Sequence, residues 1–190
     1  VRETLDLYEE ALDPSARATD HRWRIEHAGL ISAADVARAA RLGVALSFHV
    51  DHLRWYGAEL RDQILGPERA ARMMPLGTAV RAGHRISLHA DSPMYPPGPL
   101  RLARTAATRL TRGGEVLGAD EVVSVERALR AVTIDAAWQL HLDDEVGSLA
   151  PGKRADLTVL DADPLALPAA DLDRIAVRST WLDGRLATAA

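Results

Sequence analysis

Arg85-Ile-Ser-Leu-His-Ala-Asp-Ser-Pro93 is the stretch that decides the fold. Ile86 to Ala90 is an apolar run interrupted by polar side chains, and it reads as a buried strand of a parallel sheet. It stops at Asp91-Ser92-Pro93, because Pro93 can neither donate to a ladder nor let its predecessor turn helical. A carboxylate is thereby delivered to the C-terminal end of a buried strand, where barrels and open α/β folds carry out chemistry. His89, two residues back, shares Asp91's side of the strand. The alternative is an Asp that only caps the next turn. His27 and His49 end two earlier strand-like runs in the same way, which favours a site.

Upstream, Arg22 to His27 reads as a short strand, and Ser32 offers an N-cap for an Ala-rich helix through Leu42, closed by Gly43. Val44 to Phe48 is the next strand and runs into His49-Val-Asp-His52. A polar stretch with Trp55, Tyr56 and Gly57 is expected to form an active-site loop. Pro67 opens a predicted helix to about Ala82, ended by Gly83. This alternation predicts βαβ units with strands 22–27, 44–48 and 86–90 parallel and adjacent in that order. Before them, Arg2 to Leu12 has apolar residues at helical spacing and should end before Pro14.

Downstream, the Pro96-Pro97-Gly98-Pro99 cluster predicts a rigid loop and then a helix over Leu100 to Leu110. Ser124 caps another over Val125 to Val132, with Thr133 to Leu140 continuing it. Past residue 145 the texture changes to β without helices. Asp156 to Leu160 and Ile175 to Leu182 read as strands, and Asp183-Gly184 is a hairpin signal leading into Arg185 to Thr188. The division expected is 1–145 and 146–190.

Composition narrows the function. The 190 residues are 47% hydrophobic, enough for one substantial core. A net charge of -4 with both signs scattered argues against a nucleic-acid surface. No window has the apolar length of a membrane span and no secretion signal is evident, so the expectation is a soluble cytoplasmic protein. With no cysteine, any metal must be held by His and carboxylates.

Each candidate has a plain structural reading beside the functional one. A strand-end His such as His27 is often a hydrogen-bonded structural residue, yet imidazole is the commonest metal ligand, and Asp91 would complete an N/O set suited to zinc. His49 and His52 form a His-x-x-His pair, which shares a face reliably only on a helix. His84 and His141 are expected to be solvated. Trp55, Tyr56, Met94 and Tyr95 either line a pocket or cover the core.

Arg24-Ile-Glu-His27-Ala28, Leu42-Gly-Val44, Ser47, His52, Leu65-Gly-Pro-Glu-Arg69, Asp91-Ser-Pro93 and Thr108-Arg109 together resemble the metal-dependent amidohydrolase superfamily. The pattern is nearest to amidohydrolase family 3, the branch that includes N-substituted formamide deformylases. Gly147-Ser-Leu-x-Pro-Gly-Lys-x-Ala-Asp156-Leu, with Val159-Leu-Asp161, is similar to the segment where such enzymes return to a small β-sandwich. The resemblance implies an α/β chain: strands six to eight of a (β/α)₈ TIM barrel with their helices, over 1–145, then strands of the β-sandwich over 146–190. It implies a hydrolase of C–N bonds in small molecules, using one or two divalent metals, zinc foremost. His27 matches the strand-six metal histidine, and Asp91 the strand-eight aspartate that contacts the metal and serves as general base. His52 matches a histidine usually preceded by Gln-Pro, here His49-Val50, so His52, His49 and His89 are the expected substrate contacts.

The same scheme needs a His-x-His on strand one and ligands on strands four and five, and none of these is present; the single lysine, Lys153, lies in the return loop. The expectation is therefore a C-terminal half, inactive and holding metal weakly by itself, that pairs with the missing N-terminal half or a second copy. The alternatives are a non-catalytic oligomeric or regulatory fragment, and an independent metal-binding domain using His27, His49, His89 and Asp91.

Overall fold

The computed structural model describes residues 1–12 and 20–189. At its centre is β2 (Ala45–Phe48), buried at every position, between β1 (Arg24–Ile25) and β3 (Ser87–Leu88). Both pairings are parallel, with Ile25 opposite Leu46 and Ser47 opposite Ser87. All three are adjacent in the expected order but shorter. β1 stops early because His27 and Ala28 take φ of 65° and 46°, outside any strand conformation. Single bonds continue the alignment past the strand ends: the His49 N–H donates to His27 O (3.4 Å) and the His89 N–H to Phe48 O (3.1 Å).

Around this sheet the helices follow their local signals. α1 (Arg2–Ala11) buries Leu5; Pro14, expected to stop it, lies outside the described residues. α2 (Ala33–Arg41) begins at Ser32, whose Oγ accepts from the Asp35 N–H (3.1 Å), and it buries Val36 and Ala39. Gly43, at φ 69°, then turns the chain into β2.

The stretch after His52 is not a loop. α3 (Asp51–Glu59) runs through Trp55, Tyr56 and Gly57, followed by one π-helical segment, Leu60–Leu65. Leu53 and Gly57, four apart, form its buried stripe, and a side chain on Gly57 would press on Thr111 and Leu117 at 3.1 and 3.2 Å. The helix expected from Pro67 is split into α4 (Pro67–Ala71) and α5 (Leu76–Arg81). Pro75 and the left-handed Met74 (φ 48°) cannot sit inside a helix, which accounts for the break.

α6 (Pro99–Thr108) ends on a left-handed Arg109. α7 (Val125–Arg130) is capped by Ser124, whose Oγ accepts from the Arg127 N–H. It does not continue into α8 (Ile134–Gln139), because Thr133 leaves the helical region while its hydroxyl donates back to Leu129 O.

Beyond Gly147, β4 (Leu157–Leu160), β5 (Val177–Leu182) and β6 (Arg185–Ala189) make a second, antiparallel sheet, separate from the first. Asp183 and Gly184 both take positive φ (50° and 72°), as a two-residue type I′ hairpin requires.

Candidate metal centre

Three strand ends bring the imidazoles together. His27 follows β1, His49 follows β2 and His89 follows β3, while His52 lies one turn into α3. The His49 ring lies 5.6 Å from that of His27, 5.0 Å from His89 and 4.0 Å from His52, centre to centre. Asp91 joins them at φ 52°, a backbone twist that takes it out of β3's line. Ligand atoms of His27, His49 and Asp91 all lie within 4.8 Å of one another. β1 and β3 are separated by β2, two spacings of roughly 4.8 Å, so the His27 and Asp91 side chains lean across the end of β2 to meet there. A tetrahedral zinc with bonds near 2.05 Å separates its ligand atoms by about 3.3 Å. Modest side-chain rotations would close the difference.

The cluster is electrostatically set for a cation. His49 is fully buried, and burial, with His52 and His89 beside it, pushes its pKa down to about 4. Burial also lowers His52, with His27 adding to the effect, and it lowers His89. These three rings are therefore neutral at pH 7, the form in which imidazole offers a lone pair. Neither nitrogen of His49 has a hydrogen-bond partner among the described residues. His89 Nε2 is also unbonded; Glu26 Oε2 stands 3.9 Å away, an ion-pair distance and too long for a hydrogen bond. Buried polar atoms left unpaired mark a place where an ion fits.

The surroundings position the cluster. Asp51, fully buried, receives the Arg101 guanidinium at 2.8 Å, and Arg101 also donates to Pro96 O. This ties α3, which carries His52, to α6 and the proline loop. Trp55 and Tyr95 lie with their ring planes 6° apart, and Tyr95 stands edge-on to His49. Tyr95 is buried and Met94 half exposed, so these aromatics cover the cluster on one side.

A cavity of about 550 Å³ opens against Asp91 and His27, and its lining includes Glu26, Ser47, Ser87 and His89. Glu26, Ser47 and Ser87 had not been singled out from sequence as site residues. Their signal was available: polar residues at alternate positions of otherwise apolar strands, facing the same side as His49 and His89. Burial works to raise the Glu26 carboxyl, but hydrogen bonds from Ser47 and Arg24 outweigh it and hold Glu26 below its usual range.

The remaining histidines lie elsewhere. His84, expected in water, is buried, and its Nε2–H donates to Val36 O (3.0 Å). The turn after Gly83 folds it under α2, where it bonds to a helix carbonyl, a placement that a His-Arg dipeptide does not advertise. His141 is exposed as expected. No helix is long and apolar enough to cross a membrane among the described residues.

Residues 1–187 match the amidohydrolase family. The N-substituted formamide deformylase of Arthrobacter pascens is 33% identical over 182 residues, 96% of this chain and 33% of that protein. Protein LONG AFTER FAR-RED 3 of Arabidopsis thaliana is 34% identical over 158 residues, 82% of this chain and 27% of that one. Among solved structures, an uncharacterised metal-dependent hydrolase from Pyrococcus horikoshii superposes with a TM-score of 0.72 at 25% identity, covering 87% of this chain and 32% of its own. The chain thus spans about a third of the length of these relatives. With a family match over nearly its whole length, and a His and Asp cluster at the ends of parallel strands, this chain belongs to the amidohydrolase family.

Proposed function

We propose that this chain is the C-terminal part of a metal-dependent hydrolase of C–N bonds in small molecules, the bonds being amides or related groups. The observation that carries the reading is the convergence of His27 and Asp91, with a buried unpaired imidazole between them, at the C-terminal ends of three parallel strands. In this reading residues 1–145 are strands six to eight of a (β/α)₈ barrel with their helices, and 146–190 belong to a small β-sandwich. Support comes from the parallel order β1-β2-β3 and the separate antiparallel sheet that follows.

His27 and Asp91 would hold a divalent ion, and an all-N/O donor set with no cysteine favours zinc. When bound, such an ion acidifies a water and polarises a carbonyl. Asp91 takes the proton of the attacking water and hands it to the leaving nitrogen, acting as base and then acid. His52, His49 and His89 surround the reacting group on the substrate side. Tyr95 and Trp55 exclude bulk water from one flank, which strengthens each electrostatic contact inside.

Among the described residues β1 is paired only with β2, so its other edge takes its neighbour from the rest of the barrel, or from a second copy. Without ligands from earlier strands the 190 residues do not turn over substrate by themselves. The test is hydrolysis of N-substituted formamides and simple amides by the polypeptide that carries this chain, before and after chelation. Loss of activity on chelation and recovery with zinc is expected; turnover indifferent to chelators overturns the reading.

A further inference from the structure

We infer that His49 is itself a ligand of the divalent ion, so that His27, His49 and Asp91 form a three-residue site supplied by this chain alone. The inference rests on the metal-hydrolase reading above and deepens it, because a residue expected to touch substrate is reassigned to the metal.

Three observations carry it. First, His49 is 0% exposed and both its ring nitrogens lack a hydrogen-bond partner among the described residues. Leaving a buried polar atom unpaired costs about 1–3 kcal/mol. A substrate contact would be wetted whenever the site stood open, whereas His49 has no access to water to satisfy it. Second, the His49 donor atom falls within 4.8 Å of donors from both His27 and Asp91. His52, although its ring is nearer to His49, does not complete such a set. Third, the residue is rigidly placed: its N–H bonds to His27 O, and its own carbonyl accepts from the His52 N–H at the start of α3. The ring therefore sits on the middle one of three adjacent strands, between the other two donors. Two imidazoles and one carboxylate from neighbouring strand ends leave room for a water or a substrate atom, the arrangement of a catalytic rather than a closed structural zinc.

The experiment uses the full chain. Zinc binding is measured by competition calorimetry for the wild type, His49→Gln, His27→Gln and His141→Gln. X-ray absorption at the zinc edge then counts imidazoles in the loaded wild type. Gln keeps polar atoms at a reach close to that of imidazole, so a hydrogen-bonding role would survive the change and a ligand role would not. One zinc per chain is expected in the wild type, with two imidazoles in its shell. His49→Gln should weaken binding by at least about 100-fold, the upper end of what losing an outer-shell partner costs, and as much as His27→Gln does. Exposed His141→Gln should change nothing. If His49→Gln binds as the wild type while His27→Gln is weakened, the inference fails and the metal-hydrolase reading stands. If the wild type takes up no zinc, the inference fails and the metal-hydrolase reading, whose ion also draws ligands from earlier strands, stands on the chelation test above. If zinc binds and neither variant differs from the wild type, both fall. Should His49→Gln lose its cooperative melt, the imidazole count decides: a single imidazole overturns the inference.

Discussion

Among the described residues Arg109 is the largest fully buried side chain, and replacing it should cost about as much as truncating a large core residue. Its guanidinium donates to Leu117 O (2.6 Å), Met73 O (2.7 Å) and Met74 O (2.9 Å). Burial, only partly offset by Glu121, pulls its pKa down to about 10, so the charge is held at a price. In Arg109→Met the volume is kept and the donors vanish. Met74 O still accepts from the Leu76 N–H, but among the described residues Met73 O and Leu117 O have no backbone donor to replace the guanidinium. Two unpaired carbonyls cost about 1–3 kcal/mol each, and relief of the buried charge returns part of it, giving a net loss of about 3 kcal/mol. For a chain of this size that lowers Tm by about 6–12 °C. The perturbation reaches the site as well: the Met74 N–H donates to Gly29 O, two residues from His27. Urea and thermal melts of wild type and Arg109→Met, read beside zinc affinity, check both parts. A variant within about 0.5 kcal/mol of wild type would refute the claim that this guanidinium clamps the turn behind His27.

His84 should make stability depend on acid: its folded pKa lies below the ordinary 6.5, so the unfolded chain takes up the proton first. Its contribution is complete above about pH 6.5 and is lost as pH falls through that value toward the folded pKa. The difference in unfolding free energy between wild type and His84→Gln should therefore be flat at pH 7–8 and change only below about pH 6.5. Asp51→Ala strips Arg101 of its buried partner and should destabilise by about 2–3 kcal/mol in a urea melt, less than a wholly buried pair because Arg101 still reaches Pro96 O. Gly118→Ala would place a methyl 1.9 Å from Ala71 O at φ 74°, and calorimetry should show a loss of at least about 2 kcal/mol.

The order of the central sheet was legible because each strand carried its own punctuation: Ser32 and Gly43 around one helix, Pro93 after the last strand. The antiparallel hairpin was legible for the same reason, since Asp183-Gly184 encodes a turn locally. Trp55 to Gly57 misled because its polarity is that of an exposed helix face, and the Leu53–Gly57 stripe that docks it is only two residues wide. Pro75 and Thr133 broke helices whose apolar spacing runs on without interruption. At the site, His27 and Asp91 stood out as strand-end residues, and their convergence depends on left-handed turns that non-glycine residues do not announce. The state of His49 was invisible in sequence: burial and the absence of a partner are properties of packing.

The most direct test of the account is Asp91→Asn in the polypeptide that carries this chain, assayed for C–N hydrolysis at neutral pH with zinc content measured on the same sample. Asn keeps the size and one oxygen of the side chain but cannot accept a proton, and only one of several ligands is altered. The account predicts turnover lost by a factor of at least about 100 while most of the zinc remains bound. A variant that kept near-normal kcat would contradict Asp91 as the general base, and the mechanism proposed for this site would fail with it.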